Sequence, residues 1–258
     1  MIDKTAIISD GASISKNVSI GPFVVIEEGV IIGENTKILC NCVLKKNTII
    51  GKNNYIYENA IIGGDPQDIS FDPAIQSYVE IGDYNIIREH VTIHRSTKLS
   101  SPTKIGNKNY IMVNAHIAHD NLIGNHTIIT NSVNFGGHVM VEDFAVIGGA
   151  AQVHQHVRIG KMSMVAGMAP VSKDVIPFML LGRNPAKHYS LNLIGLRRNN
   201  VSKDSIKEIR IAINDLRKNG TLSETINFTS EEVGYLKSWL SIKSHRGCHS
   251  FLWYSWIK

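Results

Sequence analysis

Val24-Val25-Ile26-Glu27-Glu28-Gly29-Val30-Ile31-Ile32-Gly33-Glu34-Asn35-Thr36-Lys37-Ile38, residues 24–38, return an aliphatic residue at every sixth position. The repeat extends outward in both directions, through Ile8, Ile14 and Ile20 upstream and through Leu44, Ile50, Ile56 and Ile62 downstream. Two residues before each aliphatic sits a mostly small one: Ala6, Ala12, Val18, Val24, Val30, Thr36, Cys42, Thr48, Asn54, Ala60. The count resumes at Ile81 and stays apolar, in steps of six through Leu99, Ile117 and Phe135, to Val171. A helix of 3.6 residues per turn would smear such a period around its surface. Short strands joined by corners keep it, because alternate side chains share a face and the small and aliphatic residues both point inward. The glycine and polar positions between inward pairs are expected to take the corners. This is the hexapeptide pattern of a parallel β-helix, whose coils bury their inner faces by stacking. At three hexads per coil, the hexads make about nine coils, a prism on the order of 40 Å long.

The regular coils break after Ile62. Gly64-Asp65-Pro66-Gln67-Asp68-Ile69-Ser70-Phe71-Asp72-Pro73 carries two prolines and no period, so residues 63–80 should form a loop leaving the prism. Ser96 to Thr103 is a second polar stretch, although Leu99 keeps the count. The prism should occupy residues 1–186. Pro177 and Pro185 bracket a connection out of it, and residues 187–258 should be helical. One helix is expected to start at Ser202-Lys203-Asp204-Ser205, with Ile206, Ile209, Ile213 and Leu216 on one face and a stop at Gly220. A second should start at Thr229-Ser230-Glu231-Glu232, with Val233, Leu236 and Leu240 on one face.

Composition bounds the function. The chain of 258 residues is 43% hydrophobic, enough for a sizeable core. It carries no long apolar run, so neither a signal peptide nor a membrane span is expected. Three cysteines make no disulfide framework and fit a reducing cytoplasm. The net charge of +5 is concentrated at the C-terminal end, where residues 187–258 hold 12 Lys+Arg against 6 Asp+Glu. Such a surface suits an acidic or phosphorylated partner. No aromatic-interleaved basic motif argues for nucleic acid.

The chemistry should lie in Asn114-Ala115-His116-Ile117-Ala118-His119-Asp120. Stacking by steps of 18 brings His116, His119, His138, His154 and Gln155 to one edge of the prism, with His94 elsewhere. A neutral imidazole can take a proton from a hydroxyl near neutral pH. Asp120 could hold the other ring nitrogen of His119 if a corner turns the two together. Gly136-Gly137 could offer a backbone N–H to a developing oxyanion. A zinc site is the other use of several histidines. The odd spacing of His116 and His119 disfavours it.

The run from Ile111 to Asp120 resembles the active-site segment of the UDP-N-acetylglucosamine 3-O-acyltransferase family, which opens lipid A biosynthesis. So do Met1-Ile2-Asp3-Lys4, Gln67-Asp68, Val91-Thr92-Ile93-His94-Arg95, Gly137-His138-Val139, Val153-His154-Gln155 and Asn192-Leu193-Ile194-Gly195-Leu196-Arg197-Arg198. The resemblance implies a left-handed parallel β-helix, assembled as a homotrimer with clefts between subunits. It implies transfer of a 3-hydroxyacyl chain from acyl carrier protein to the 3-hydroxyl of UDP-N-acetylglucosamine. No cofactor or metal belongs to the enzyme, because phosphopantetheine arrives on the carrier protein. By resemblance His119 is the general base, Asp120 its orienting partner and Gly137 the oxyanion donor. Asp68 and His116 lie near the sugar, and His138, His154 and Gln155 line the cleft. Asn192 and Arg198 contact nucleotide or phosphopantetheine, and Gly167 limits acyl-chain length, a glycine leaving room for a longer chain. The chain departs from the family pattern at Ser70, where a lysine is common, and at Ile194, where an acid is common.

Two other readings use the same features. A related hexapeptide enzyme would acylate an amine rather than a hydroxyl. A γ-type carbonic anhydrase would hold zinc between subunits of a β-helix trimer.

Overall fold

The computed structural model describes residues 1–99, 101–223 and 226–252. Strands of two to five residues stack, all in parallel except the last, into three sheets, one per face of a triangular prism. The first face has nine strands, from Ile7–Ile8 to Pro170–Val171; the second has eight, from Ser13–Ile14 to Arg158–Ile159. The third has ten, from Ser19–Ile20 to Lys187–Leu191. Within regular coils the register advances by 18, as His116 pairs with Asn134 and Asn134 with Gln152. Nine coils follow, in agreement with the periodicity.

The hexad aliphatics form one continuous core; Ile26, Ile32, Ile62, Ile117 and Ile129 are wholly buried within it. The inward position two residues earlier is not uniformly apolar. Thr36, Asn54, Asn85, Asn109 and Thr127 are buried along one corner column. The Asn54 carboxamide donates to the Gly82 carbonyl and accepts from the Asn85 backbone, and Asn109 in turn accepts from the Thr127 backbone and hydroxyl. This ladder satisfies corner peptide groups that the sheets leave unpaired.

The glycines do different work from that expected. The left-handed corner positions belong mostly to other residues, such as Asn17, Asn35, Asn41, Asn53, Asn114, Asp120 and His138, at φ near +60°. Asparagine and aspartate tolerate this region better than most side chains. Gly33, Gly51, Gly82, Gly106 and Gly124 instead stack on one another. A β-carbon on Gly106 would come within 2.5 Å of the Gly124 carbonyl oxygen. They are small because successive coils meet there.

The two irregular stretches correct the stacking count. Ile61 pairs with Thr92, and Ile81 follows Ile50 on the next face, so the step from Ile62 to Ile81 is one corner with a long inserted loop. Ile81 then pairs with Ile105, 24 residues on, so this coil holds six residues more than a regular one. Leu99 is 64% exposed and is no part of the core. Shifting by those six residues moves His94 to the histidine edge, and its ring lies 5.1 Å from that of His116.

The far end also differs from expectation. Met179–Gly182 is no exit from the prism; it stacks in parallel on Met164–Val165, and Lys187–Leu191 folds back antiparallel on it. The prism therefore runs past residue 186. Helix α1, Leu193–Arg198, follows and contains Arg197 and Arg198, which the sequence placed before the first helix. Helices α2, Lys203–Asn219, and α3, Glu231–Ser241, match expectation. Ser202 caps α2 through its hydroxyl, and Gly220 ends it at φ 75°. On α3 the third buried residue is Trp239 rather than Leu240. Arg158 ties the helices to the prism. Its Nε donates to the buried Asp174 carboxylate at 2.8 Å, and its guanidinium lies 4.2 Å from the Trp239 ring centroid. No helix among the described residues is long and apolar enough to cross a membrane.

The chain beyond Ser241 is docked on the prism as far as it is described. The Asp174 N–H donates to the Gly247 carbonyl, and the Leu252 N–H to that of His188. His188, 1% exposed, accepts the Ile176 N–H at Nε2 and therefore donates from Nδ1 to the His249 carbonyl. The remainder of the aromatic tail lies outside the described residues.

Candidate active site

His119 and Asp120 sit at the corner between the first and second faces. Asp120 has φ of 60°, and that turn brings the two neighbouring side chains together. His119 Nδ1 lies 2.7 Å from Asp120 Oδ2. Three further donors face the carboxylate: the Ser96 hydroxyl, the Thr97 hydroxyl at 2.7 Å, and the Thr97 N–H, shared at 3.3 and 3.2 Å between its two oxygens. Burial alone would raise this carboxyl. The bonds from His119, Ser96 and Thr97 outweigh it and hold the group well below the usual carboxylate range. A fixed anion thus faces Nδ1, which must carry a hydrogen, leaving Nε2 as the basic nitrogen.

The other ring face meets Gly137. A β-carbon there would fall 2.6 Å from His119 Nε2, so only glycine allows the imidazole this position. Beside them a groove of roughly 570 Å³ is lined by Gln67, His116, His119, Gly137, His154 and Gln155, with Phe135 and Val171 along its floor. His116 bonds Thr92 Oγ1 through Nδ1 at 2.8 Å. Burial, aided by His94 and His119, pushes its pKa down to about 4, so it is neutral at neutral pH. His138 Nε2 is 3.6 Å from Asp120 Oδ2, and its ring is edge-on to His119 at 5.3 Å. Burial lowers it too, against the pull of Asp120.

Five of the expected residues thus border one groove: His116, His119, Gly137, His154 and Gln155. Asp120 and His138 stand directly behind. Asp68 approaches from the 63–80 loop, where the Ser70 N–H and hydroxyl donate to its Oδ1 and lower its pKa. Ser70, the departure from the family pattern, therefore serves to fix Asp68. Asn192, Arg198 and Gly167 do not line this groove. Asn192 is buried, capping α1 by accepting from the Gly195 N–H and donating to the Met162 carbonyl. Arg198 ends α1, and Gly167 stacks over Gly149 at an exposed corner. Ser96 and Thr97 are functional-site neighbours not expected from the sequence, where their only signal was their place in the polar stretch before Thr103.

His119, Asp120 and His138 are the described residues whose donor atoms come close enough to hold a metal ion, all within 4.8 Å. The 2.7 Å between His119 and Asp120 is a charge-assisted hydrogen bond. Two ligands about 2.0 Å from a tetrahedral ion would stand roughly 3.3 Å apart. The geometry is that of an oriented base.

Comparison with known proteins agrees with this geometry. A family model described as Udp N-acetylglucosamine O-acyltransferase, domain 2, matches residues 174–248, and one for the bacterial transferase hexapeptide repeat matches residues 29–64. The solved UDP-N-acetylglucosamine acyltransferase from Bacteroides fragilis is 38% identical, superposes with a TM-score of 0.91, and is matched over 96% of this chain and 99% of that one. The chain belongs to the UDP-N-acetylglucosamine acyltransferase family. The family member from Campylobacter jejuni is 34% identical, with a TM-score of 0.90 over 98% of this chain and 100% of the other. An acyl-[acyl-carrier-protein]--UDP-N-acetylglucosamine O-acyltransferase of Gloeothece citriformis is 42% identical over 171 residues, 66% of this chain and 62% of that protein. The chain thus spans less than two thirds of the length of the curated relatives it matches. With family membership the prism is a left-handed parallel β-helix.

Proposed function

We propose that this protein transfers a 3-hydroxyacyl chain from acyl carrier protein to the 3-hydroxyl of UDP-N-acetylglucosamine, the first step of lipid A biosynthesis. The observation that carries this reading is the His119–Asp120 pair beside Gly137 at the groove. His119 Nε2 takes the proton of the sugar 3-hydroxyl as its oxygen attacks the thioester carbonyl. The Gly137 N–H faces the oxyanion of the tetrahedral intermediate. Collapse breaks the C–S bond, and the imidazolium returns its proton to the departing phosphopantetheine thiolate. Asp120, held anionic, stabilises the imidazolium between the two steps. The protein supplies no cofactor.

His116 and Asp68 are assigned to the sugar, and His138, His154 and Gln155 to the cleft wall. Asn192 and Arg198 lie away from the groove of their own chain. Their proposed contacts with nucleotide or phosphopantetheine therefore belong to a cleft shared with a neighbour, in a cyclic homotrimer joining two different faces of each prism. An apolar outward column on the third face, with Ile86, Ile128 and Met164 between 36% and 41% exposed, supports such an interface. Gly167 leaves room for a long acyl chain. Free thiols at Cys40, Cys42 and Cys248 suit the cytoplasm, where the carrier protein is found.

The test is acyl transfer by purified protein, with UDP-N-acetylglucosamine and 3-hydroxyacyl carrier proteins of several chain lengths. The expected product is an alkali-labile acyl UDP-sugar, formed equally with EDTA present. An alkali-stable amide would indicate the N-acyltransferase reaction instead. No transfer from any donor, with stoichiometric zinc in the protein, would support the carbonic anhydrase reading.

A further inference from the structure

Residues 94–97 join two parts of the site that the sequence keeps far apart. Ser96 and Thr97 turn to Asp120, as described. His94 and Arg95 turn the other way, to the loop that carries Gln67 and Asp68. Arg95 is 1% exposed, unusual for an arginine, and its donors are spread along that loop. Nε donates to Asp65 Oδ1 at 2.9 Å, one terminal nitrogen to the Ile75 carbonyl and, at 3.0 Å, to Ser77 Oγ, and the other to the Pro73 carbonyl at 3.3 Å. The guanidinium carbon stands 4.8 Å from the Phe71 ring centroid. His94 Nδ1 bonds the Asp65 carbonyl, and the Ser77 hydroxyl bonds the Ser96 carbonyl.

Both stems of the loop and its middle therefore converge on one buried cation. A loop with two prolines and no strand of its own has little else to hold it against the prism. The rigid, planar fork of arginine suits partners lying in several directions, which a lysine ammonium could meet only in part. The loop's groove-side residues are Gln67, which lines the groove, and Asp68, close enough for the His119 and His138 imidazoles to act on its carboxyl.

We propose that Arg95 is a positioning residue that clamps the 65–77 loop, holding Gln67 and Asp68 for the sugar nucleotide and setting its affinity without touching substrate. The proposal rests on the acyl-transfer reading. The experiment compares wild type with Arg95→Met, Arg95→Lys and Asp65→Ala. Asp65→Ala removes a clamp partner whose side chain is 63% exposed, and so spares the prism. Backbone hydrogen exchange is followed in the intact protein, alongside steady-state kinetics with each substrate varied.

The expected result for Arg95→Met is faster exchange across 65–77 with unchanged protection across 104–171. KM for UDP-N-acetylglucosamine should rise about 10–100-fold, the scale of lost hydrogen bonds to a charged group. The KM for acyl carrier protein and kcat should stay within about twofold. Arg95→Lys should recover part of the affinity, and Asp65→Ala should show the same pattern at smaller size. An unchanged sugar-nucleotide KM, or an equal loss of kcat and of both affinities, overturns the proposal. Should Arg95→Met fail to fold, Asp65→Ala decides alone, and wild-type exchange and KM in that variant overturn the clamp. Wild-type protein that acylates no UDP-sugar defeats the functional reading, while the exchange data still judge the clamp, unchanged loop protection overturning it.

Discussion

Gly137 and His119 are packed so closely that a β-carbon on the glycine would fall 2.4 Å from Cε1 of the imidazole. In the proposed reaction, the corner whose backbone N–H faces the oxyanion is also the surface that fixes the His119 ring. Gly137→Ala must push the ring out of line with Nε2, and should lower kcat on the order of 10²-fold with circular dichroism unchanged. Near-wild-type turnover would show that the ring is free to move.

Asp120 is held anionic by His119, Ser96 and Thr97 against the cost of its own burial. Its folded pKa lies below its unfolded value. The stability it contributes is therefore complete above about pH 4 and is lost as pH falls through the folded pKa. Asp120→Asn should remove that part of the acid dependence in urea unfolding, and should lower kcat by about 10²-fold or more by leaving the imidazolium without its counter-charge. A variant of undiminished kcat would take Asp120 out of the mechanism.

His188 adds to the acid sensitivity in the same sense, over a higher pH range. Burial lowers its pKa to about 3, outweighing the hydrogen bond to the His249 carbonyl that favours the charged ring. Nε2 also accepts the Ile176 N–H, a bond that protonation would break. The unfolded chain takes up a proton near pH 6.5 while the folded chain does not. Stability should therefore fall as pH drops from about 6.5 toward 3, by at most about 1.4 kcal/mol per pH unit from this group. His188→Gln should flatten the dependence of the melting midpoint between pH 6 and 4. An identical slope in the variant would place the acid sensitivity elsewhere.

The stacked glycines make a contrast with a helical one. Gly106→Ala places a methyl 2.5 Å from the Gly124 oxygen and 2.6 Å from Asn125 Oδ1, and should destabilise by about 1–3 kcal/mol or more. Gly234, inside α3, has nothing within 4 Å of the same position, and Gly234→Ala should stabilise by about 0.5–1 kcal/mol. Chemical denaturation of both variants checks the pair. Equal effects would mean that the column is not close-packed.

Gly167 is exposed and faces only the Gly149 backbone, at 3.2 Å. Gly167→Met should shift the preferred donor to a chain several carbons shorter, read from competition among 3-hydroxyacyl carrier proteins. A wild-type preference peaking at ten carbons would contradict the assignment of Gly167 as a permissive position.

The β-helix was legible because its core obeys one period, and Ile20, Ile38, Ile56 and Ile87 do sit in one inward column. The histidine edge was legible for the same reason, since stacking converts spacing into proximity. Leu99 misled, because periodicity cannot distinguish an apolar residue in a bulge from one in the core, and that error displaced His94. The glycines misled because a small residue can mean backbone freedom or lack of space, and only coordinates separate the two. Ser96 and Thr97 act through side chains on an insertion, where no period applies, and Arg95 sits at its threshold. Asn192 illustrates the reverse case, a motif residue whose groups are engaged by its own chain as a helix cap.

The most direct test of the account is acyl transfer to UDP-N-acetylglucosamine by wild type and His119→Ala at equal concentration, with the fold of each checked by circular dichroism. Wild type should form an alkali-labile acyl UDP-sugar, and His119→Ala should do so about 10²–10⁴-fold more slowly. A correctly folded His119→Ala that turns over at near the wild-type rate would contradict it.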